Sequence, residues 1–125
     1  MLLWPSALTS CTPNLSKLEY EIVDETEQAK NDLRTLKELN RQYKSLQEVI
    51  KTKDKKDPRD SEEIRELRTK IEKKKEEMKT RLQKIKDLRT KFTDAGGKIG
   101  SIWTYPNFDN TIAWLELELK GINID

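Results

Sequence analysis

The chain has 125 residues, of which 34% are apolar and 38% are charged, with 25 Lys or Arg against 23 Asp or Glu. Ordinary globular domains are about half apolar and a quarter charged, so this composition favours long helices with a narrow apolar stripe over one large core. The single cysteine and the lack of histidine exclude an intramolecular disulfide, a Cys/His zinc site within one chain and His-dependent catalysis.

Residues 1–14 begin with an apolar run that lacks the basic segment of a signal peptide and is broken at Pro5. No stretch approaches the roughly 20 apolar residues of a membrane span. We expect a disordered leader and no membrane association. The unpaired Cys11 fits a reducing compartment, so the predicted location is intracellular, either cytoplasmic or nuclear.

Apolar residues then recur every seven positions in two blocks, from Leu15 to Ile50 and from Ile64 to Phe92. With a second apolar position in most heptads, this spacing is typical of a coiled coil. The predicted helices cover about 15–52 and 59–93. The predicted seam, through which these helices pair with each other or with a partner, consists of Leu15, Ile22, Leu33, Leu36, Tyr43, Ile50, Ile64, Ile71, Met78, Leu82, Ile85 and Phe92.

Three polar residues, Asn40, Lys74 and Arg81, lie at alternative seam positions. Such residues either fix the register of the helices or lie at the edge of a seam that drifts around the helix, and the spacing leaves both interpretations open.

A polar turn at about 53–58 separates the two blocks. The second helix begins either with Asp57 as N-cap and Pro58 in its first turn, or with Asp60 as N-cap and Glu63 three residues later. It is expected to stop within 94–97, where a glycine supplies a left-handed C-cap.

The heptad phase continues across the turn, which would suit a kinked rod that pairs in parallel with a second copy. The charge pattern favours the alternative. Residues 15–32 contain six acidic and two basic residues, whereas 79–92 contain six basic and one acidic residue. Folding the chain back brings these stretches together, so we predict a long antiparallel coiled-coil hairpin over 15–94, in an all-α dominated fold.

The segment 95–125 forms an aromatic-rich tail. Strict alternation over 115–120 favours a β-hairpin that pairs 99–105 with 112–119, although a helix from Asn110 is the competing prediction. The aromatic residues Trp103, Tyr105, Phe108 and Trp114 form either the tail's own small core or a protein-interaction surface.

No residue pattern predicts catalysis, a metal or a cofactor. We therefore predict a non-catalytic scaffold or assembly subunit that binds a second copy or another coiled-coil chain. The alternative is a nucleic-acid-binding module that uses the basic face of 51–91, where clustered cations can neutralise phosphates. Its candidate contacts are Lys53, Lys55, Lys56, Arg59, Lys73, Lys74 and Lys75.

Overall fold

The computed structural model describes residues 14–55, 57–102 and 104–124. In these ranges the chain is helical and contains no strand. It forms the α-helices α1 (Leu15–Thr52), α2 (Pro58–Asp94) and α3 (Phe108–Gly121), with a short 3₁₀ turn at Ile99–Ser101. The bounds of α1 and α2 lie within one residue of the predicted helices. The predicted leader over 1–13 and the candidate contacts Lys56 and Trp103 lie outside the described residues.

Ion pairs between the two halves of the hairpin show that α1 and α2 run antiparallel. Near the turn, Lys53 Nζ lies 3.1 Å from Asp60 Oδ1, and further along the hairpin Arg81 Nε lies 2.9 Å from Asp32 Oδ2. As residue numbers fall on α1 they rise on α2. The predicted helical hairpin is confirmed, and the kinked parallel rod is not formed.

Most of the predicted seam is buried. The exceptions are Leu15, which is 37% exposed at the start of α1, and Ile50 and Ile64, which are half-buried near the turn. The buried members are Ile22, Leu33, Leu36, Tyr43, Ile71, Met78, Leu82, Ile85 and Phe92. The apolar residues at heptad spacing therefore form the centre of the core, as expected for a stripe that faces a second helix.

Side-chain caps fix where the two long helices begin. The Asn14 side chain accepts hydrogen bonds from the backbone N–H groups of Ser16 and Lys17, and Asp57 accepts one from Arg59 N. These contacts satisfy N–H groups that have no partner within the helix. Asp57 is thus the N-cap of α2, and the alternative start at Asp60 is not used.

A glycine pair ends α2 in a Schellman motif. Gly96 has φ 95°, its N–H donates to the Thr93 carbonyl, and the Gly97 N–H donates to the Phe92 carbonyl. The left-handed conformation costs little at glycine, which has no Cβ. Gly97 is needed for a second reason, because a Cβ there would lie 2.6 Å from the Phe92 ring.

The predicted β-hairpin over 99–105 and 112–119 is wrong. The second of these segments belongs to α3, and Ile102 and Tyr105 of the first are buried in the core without strand pairing. A helix is favoured because Ile112, Leu115 and the half-buried Leu119 share one face that fills the groove between α1 and α2. An isolated two-stranded hairpin is only marginally stable and would leave its outer backbone groups exposed.

The third helix divides the molecule into two parts. The base comprises α1 up to Tyr43, α2 from Ile71 and the tail, and it contains all the buried apolar residues of the described chain. The arm comprises residues 44–55 and 57–70, and it is formed by α1 and α2 alone. In the described part of the arm, Asp60 is the one buried residue.

Candidate protein interface

The predicted aromatic residues separate into buried and exposed ones. Tyr105 and Phe108 are buried in the base, whereas Trp114 is 46% exposed on α3. The Tyr105 hydroxyl donates a hydrogen bond to Glu27, and Lys30 Nζ lies 4.6 Å from the centre of the tyrosine ring. Burial and this hydrogen bond raise the pKa of Tyr105. Tyr105 and Phe108 therefore attach the tail to the hairpin, whereas Trp114 remains half-exposed on the surface of α3.

The outward side of α3 carries an uncharged stripe. With 100° between successive residues, positions that are three or four apart share a face. The stripe, which we call the α3 outer face, consists of Asn110, Ala113, Trp114, Leu117 and Gly121. Leu117 is 69% exposed, and together with Trp114 it forms a neighbouring apolar pair on the surface of the base.

All three acidic residues of α3 are used to hold the helix in place. Asp109 pairs with Arg89 of α2, with 2.7 Å between the nearest atoms. The hydrogen bond from Arg89 lowers the pKa of the Asp109 carboxyl. The remaining acidic residues pair across both flanks, Glu116 with Lys86 of α2 at 3.1 Å and Glu118 with Lys37 of α1 at 3.3 Å.

A cleft lies along each side of α3. The cleft toward α1 has a volume of about 290 Å³ and is lined by Lys30, Leu33, Arg34, Lys37 and Trp114. Lys37 Nζ lies 5.8 Å from the centre of the Trp114 ring. The cleft toward α2 has a volume of about 460 Å³, with Leu82 and Leu119 among its lining residues. Its polar lining consists of Lys75, Lys79, Lys86, Lys120, Glu76, Glu116 and Gln83.

The candidate nucleic-acid contacts do not form one cluster. Lys53 pairs with Asp60 and Arg59 with Asp57 at the turn, while Lys55 is exposed. The second group lies fourteen residues further along α2, about 21 Å away at 1.5 Å per residue.

That second group is partly occupied by contacts within the chain. Lys74 lies 2.8 Å from Glu77 and 3.6 Å from Asp32, and Lys75 donates to the Ile122 carbonyl. Lys73 is exposed. The sequence grouped these cations, but the fold separates them.

On the side of the hairpin that carries the Asp32–Arg81 pair, a cluster of ion pairs joins α1 to α2. Arg81 donates to Asp32, Glu25 and Gln28, with donor–acceptor distances of 2.8–2.9 Å, and Lys84 lies 3.1 Å from Glu25. Burial opposes ionisation of Glu25, but the hydrogen bonds from Lys84 and Arg81 outweigh it and lower its pKa. Arg81, a polar residue beside the seam, thus contacts three side chains of α1 across the hairpin.

Sequence reasoning missed Leu117 as a surface residue. Its alternation with Glu116 and Glu118 suggested a strand, in which Leu115, Leu117 and Leu119 would share one face. In the helix that forms, Leu117 points away from Leu115 and Leu119. The signal that could have identified it is the outward stripe of the competing helix prediction.

Among the described residues, no group of three or more His, Cys, Asp or Glu side chains is placed to hold a metal ion. None of the helices in this part of the chain is both long enough and apolar enough to cross a membrane. Comparison with known proteins finds no matching family model, no matching curated protein and no matching solved structure.

Proposed function

We propose that this chain is a non-catalytic assembly module that binds an amphipathic helix of a partner protein on the α3 outer face. The observation that carries the proposal is the exposure of Trp114 and Leu117 side by side on a helix whose opposite face is already buried. Contiguous exposed apolar surface of this kind commonly marks an interaction site. Tryptophan is also among the residues that contribute most to binding energy in protein interfaces.

The shape of this surface favours a helix as the bound element. A partner helix that lies along α3 places apolar side chains at positions i, i+3, i+4 and i+7 against Trp114 and Leu117. The clefts of about 290 and 460 Å³ on either side of α3 accept the side chains that flank this apolar row. The partner we expect is therefore another helical chain, as in a coiled-coil assembly.

The charges around the α3 outer face favour a partner with acidic flanks. Asp109, Glu116 and Glu118 are neutralised by cations of α1 and α2. Within the described residues, the cations Arg34, Lys79 and Lys120 have no acidic partner, and Glu76 is the one acidic residue of the two clefts without a cationic partner. A second copy bound through this same face would place lysines against lysines. Acidic side chains of a partner would instead meet the unneutralised cations.

Selection from a displayed library of helical peptides tests this proposal. The library is selected on the wild-type chain and, in parallel, on a Leu117→Glu variant. We expect the wild type to enrich helices with an apolar stripe and Asp or Glu on both flanks, and the variant to enrich none of them. Equal enrichment on both proteins, or enriched helices without acidic flanks, would contradict the proposed site.

The nucleic-acid alternative predicts a different result. A fluorescently labelled DNA or RNA oligonucleotide would bind at low salt, with an affinity that falls steeply as salt is added. We expect a flat anisotropy titration at low salt, because the candidate phosphate contacts lie in two groups about 21 Å apart along α2. Oligonucleotide binding that is abolished by Lys73→Glu and unaffected by Leu117→Glu would replace our proposal with the alternative.

A further inference from the structure

In the arm, the charged and uncharged residues of α1 lie on different sides of the helix. The helical repeat of 100° per residue places Arg41, Lys44, Glu48 and Lys51 together on one side. Gln42, Ser45, Leu46 and Val49 share another side, which we call the arm stripe. The arm stripe therefore presents a surface without charged side chains over two helical turns. Depletion of charge is the compositional mark of an interface core.

The arm stripe is also incompletely buried. Val49 is 49% exposed and Leu46 is half-buried. The register set by the Lys53–Asp60 pair places the half-buried Leu67 of α2 beside Leu46, so the apolar surface extends across both helices of the arm.

Opposite charges lie at the two ends of the arm stripe. Glu38 lies four residues before Gln42, and Lys53, the C-cap residue of α1, lies four residues after Val49. Both side chains make contacts within the chain, Glu38 with Arg41 and Lys53 with Asp60, yet their exposed fractions are 52% and 40%. Each therefore keeps access to a second ion of opposite charge.

We propose that two copies of this chain associate through their arms, with the arm stripes packed antiparallel about a twofold axis. In this arrangement Val49 contacts Gln42 of the second copy, and the Ser45 and Leu46 positions of the two chains meet at the axis. Glu38 at one end then faces Lys53 of the second copy, and the twofold axis repeats this pair at the other end. A parallel arrangement would instead place Glu38 against Glu38 and Lys53 against Lys53.

The third helix does not obstruct this contact. Lys37, which pairs with Glu118 of α3, marks the side of α1 that α3 covers. Leu46 lies nine residues later, about two and a half turns, so it faces the opposite side of α1. The α3 outer face thus stays accessible in the dimer. The arm stripe and the α3 outer face are different surfaces with different partners, so either contact can form without the other.

Analytical ultracentrifugation over about a hundredfold range of concentration tests the dimer. The wild-type chain, 14.7 kDa as a monomer, should shift toward twice that mass as concentration rises. Val49→Lys buries a cation in the contact and should weaken dimerisation at least about tenfold, a loss typical of an unpaired charge at an interface. Leu117→Glu is the matched control, and it should dimerise like the wild type. Circular dichroism checks that both variants keep their helices.

Charge exchange tests the antiparallel geometry. Glu38→Lys and Lys53→Glu should each weaken dimerisation, because like charges then face each other at both ends. An equimolar mixture of these two variants should recover it, since every facing pair is again of opposite charge. A wild type that stays monomeric over the whole range, or a mixture that fails to recover association, would overturn the inference. Loss of the dimer in Leu117→Glu alone would move the contact to α3 and would also overturn it.

Discussion

The base and the arm are built from the same two helices with the same heptad spacing, yet they are buried to very different extents. In the base, Leu36, Met78 and Ile85 are fully buried, whereas Ile50 and Ile64 at equivalent heptad positions of the arm are not. Two packed helices bury only one stripe of each other's surface, and the residues on both sides of that stripe remain exposed to solvent. The base differs because α3 closes one of those flanks. A heptad seam therefore pairs the helices, but a third layer completes the core.

The largest expected effect comes from placing a charge inside the base. Leu36→Asp buries a carboxylate where no partner is available, which costs more than about 4 kcal/mol and is comparable to the whole stability of a small domain. We expect this variant to lose most of its helical circular dichroism. Val49→Asp in the arm should keep its helices when measured at low protein concentration. If Leu36→Asp melts like the wild type, the described core is wrong.

A matched pair of isoleucines on α2 compares the two regions directly. Ile85→Ala leaves a cavity in a fully buried site and should lower the free energy of unfolding by about 3 kcal/mol. Ile64→Ala occupies an equivalent heptad position in the arm and should cost about 1 kcal/mol, because the side chain is already partly hydrated. Urea denaturation monitored by circular dichroism measures both. Equal losses would mean that the arm is as well packed as the base.

The ion-pair cluster of the base should also contribute to stability. Arg81→Met leaves Asp32 and Glu25 without their main cation, and we expect a loss of about 2 kcal/mol. This is less than for a fully buried pair because the Arg81 side chain is 24% exposed. Lys79→Met is the control, since Lys79 has no acidic partner in the described chain, and should change stability by less than about 0.5 kcal/mol. Thermal denaturation of both variants provides the comparison. Equal melting temperatures would show that the Arg81 ion pairs do not stabilise the fold.

A smaller effect is expected where the base ends. Gly97→Ala forces a Cβ to within 2.6 Å of the Phe92 ring, and we expect a loss of about 1–2 kcal/mol from the displaced ring. Gly100→Ala is the control because no atom within 4 Å would contact its Cβ. A melting temperature for Gly97→Ala that matches the control would show that Phe92 moves aside without cost.

The smallest expected effect is the loss of folding stability at low pH, which arises in the base region of the molecule. The folded-state pKa of Glu25 is lowered below the ordinary value of 4.5 by its hydrogen bonds to Lys84 and Arg81. The unfolded chain therefore binds more protons as the pH falls through this value, and the stability present above it is lost below it. We expect the urea midpoint to decrease as the pH falls below about 4.5. Glu25→Gln should make this decrease shallower, and an unchanged slope would contradict the assignment.

The parts of the fold that local chemistry specifies could be predicted from the sequence. Seven-residue spacing identified the helices, capping residues limited the start of α2 to Asp57 or Asp60, and the glycines within 94–97 marked its end. The opposite charges of 15–32 and 79–92 predicted the fold-back. The tail could not be predicted in the same way, because Leu115, Leu117 and Leu119 alternate as in a strand, while Ile112, Leu115 and Leu119 also share one face of a helix. The groove between α1 and α2, which only the folded hairpin provides, selects the helix.

The candidate interface, like the tail helix, could be predicted only in part from the sequence. Composition indicated that aromatic residues of the tail mattered, but it treated Tyr105, Phe108 and Trp114 alike. Their roles differ because burial depends on which face of α3 meets the hairpin, and on the reach of the Tyr105 hydroxyl to Glu27. Leu117 was not selected at all, since its exposure follows from the helical form of the segment.

The sequence by itself determined the two long helices and favoured their antiparallel pairing. Propensity, capping and heptad spacing act over a few residues, and the opposite charges of 15–32 and 79–92 face each other only when the chain folds back. Only the tertiary structure decided that α3 lies against one half of the hairpin, which makes a base with a closed core and an arm with an open seam. It also decided which apolar side chains remain outside. The position of α3 depends on the apolar area that is buried when three helices pack together. This area cannot be read from the sequence of any one helix.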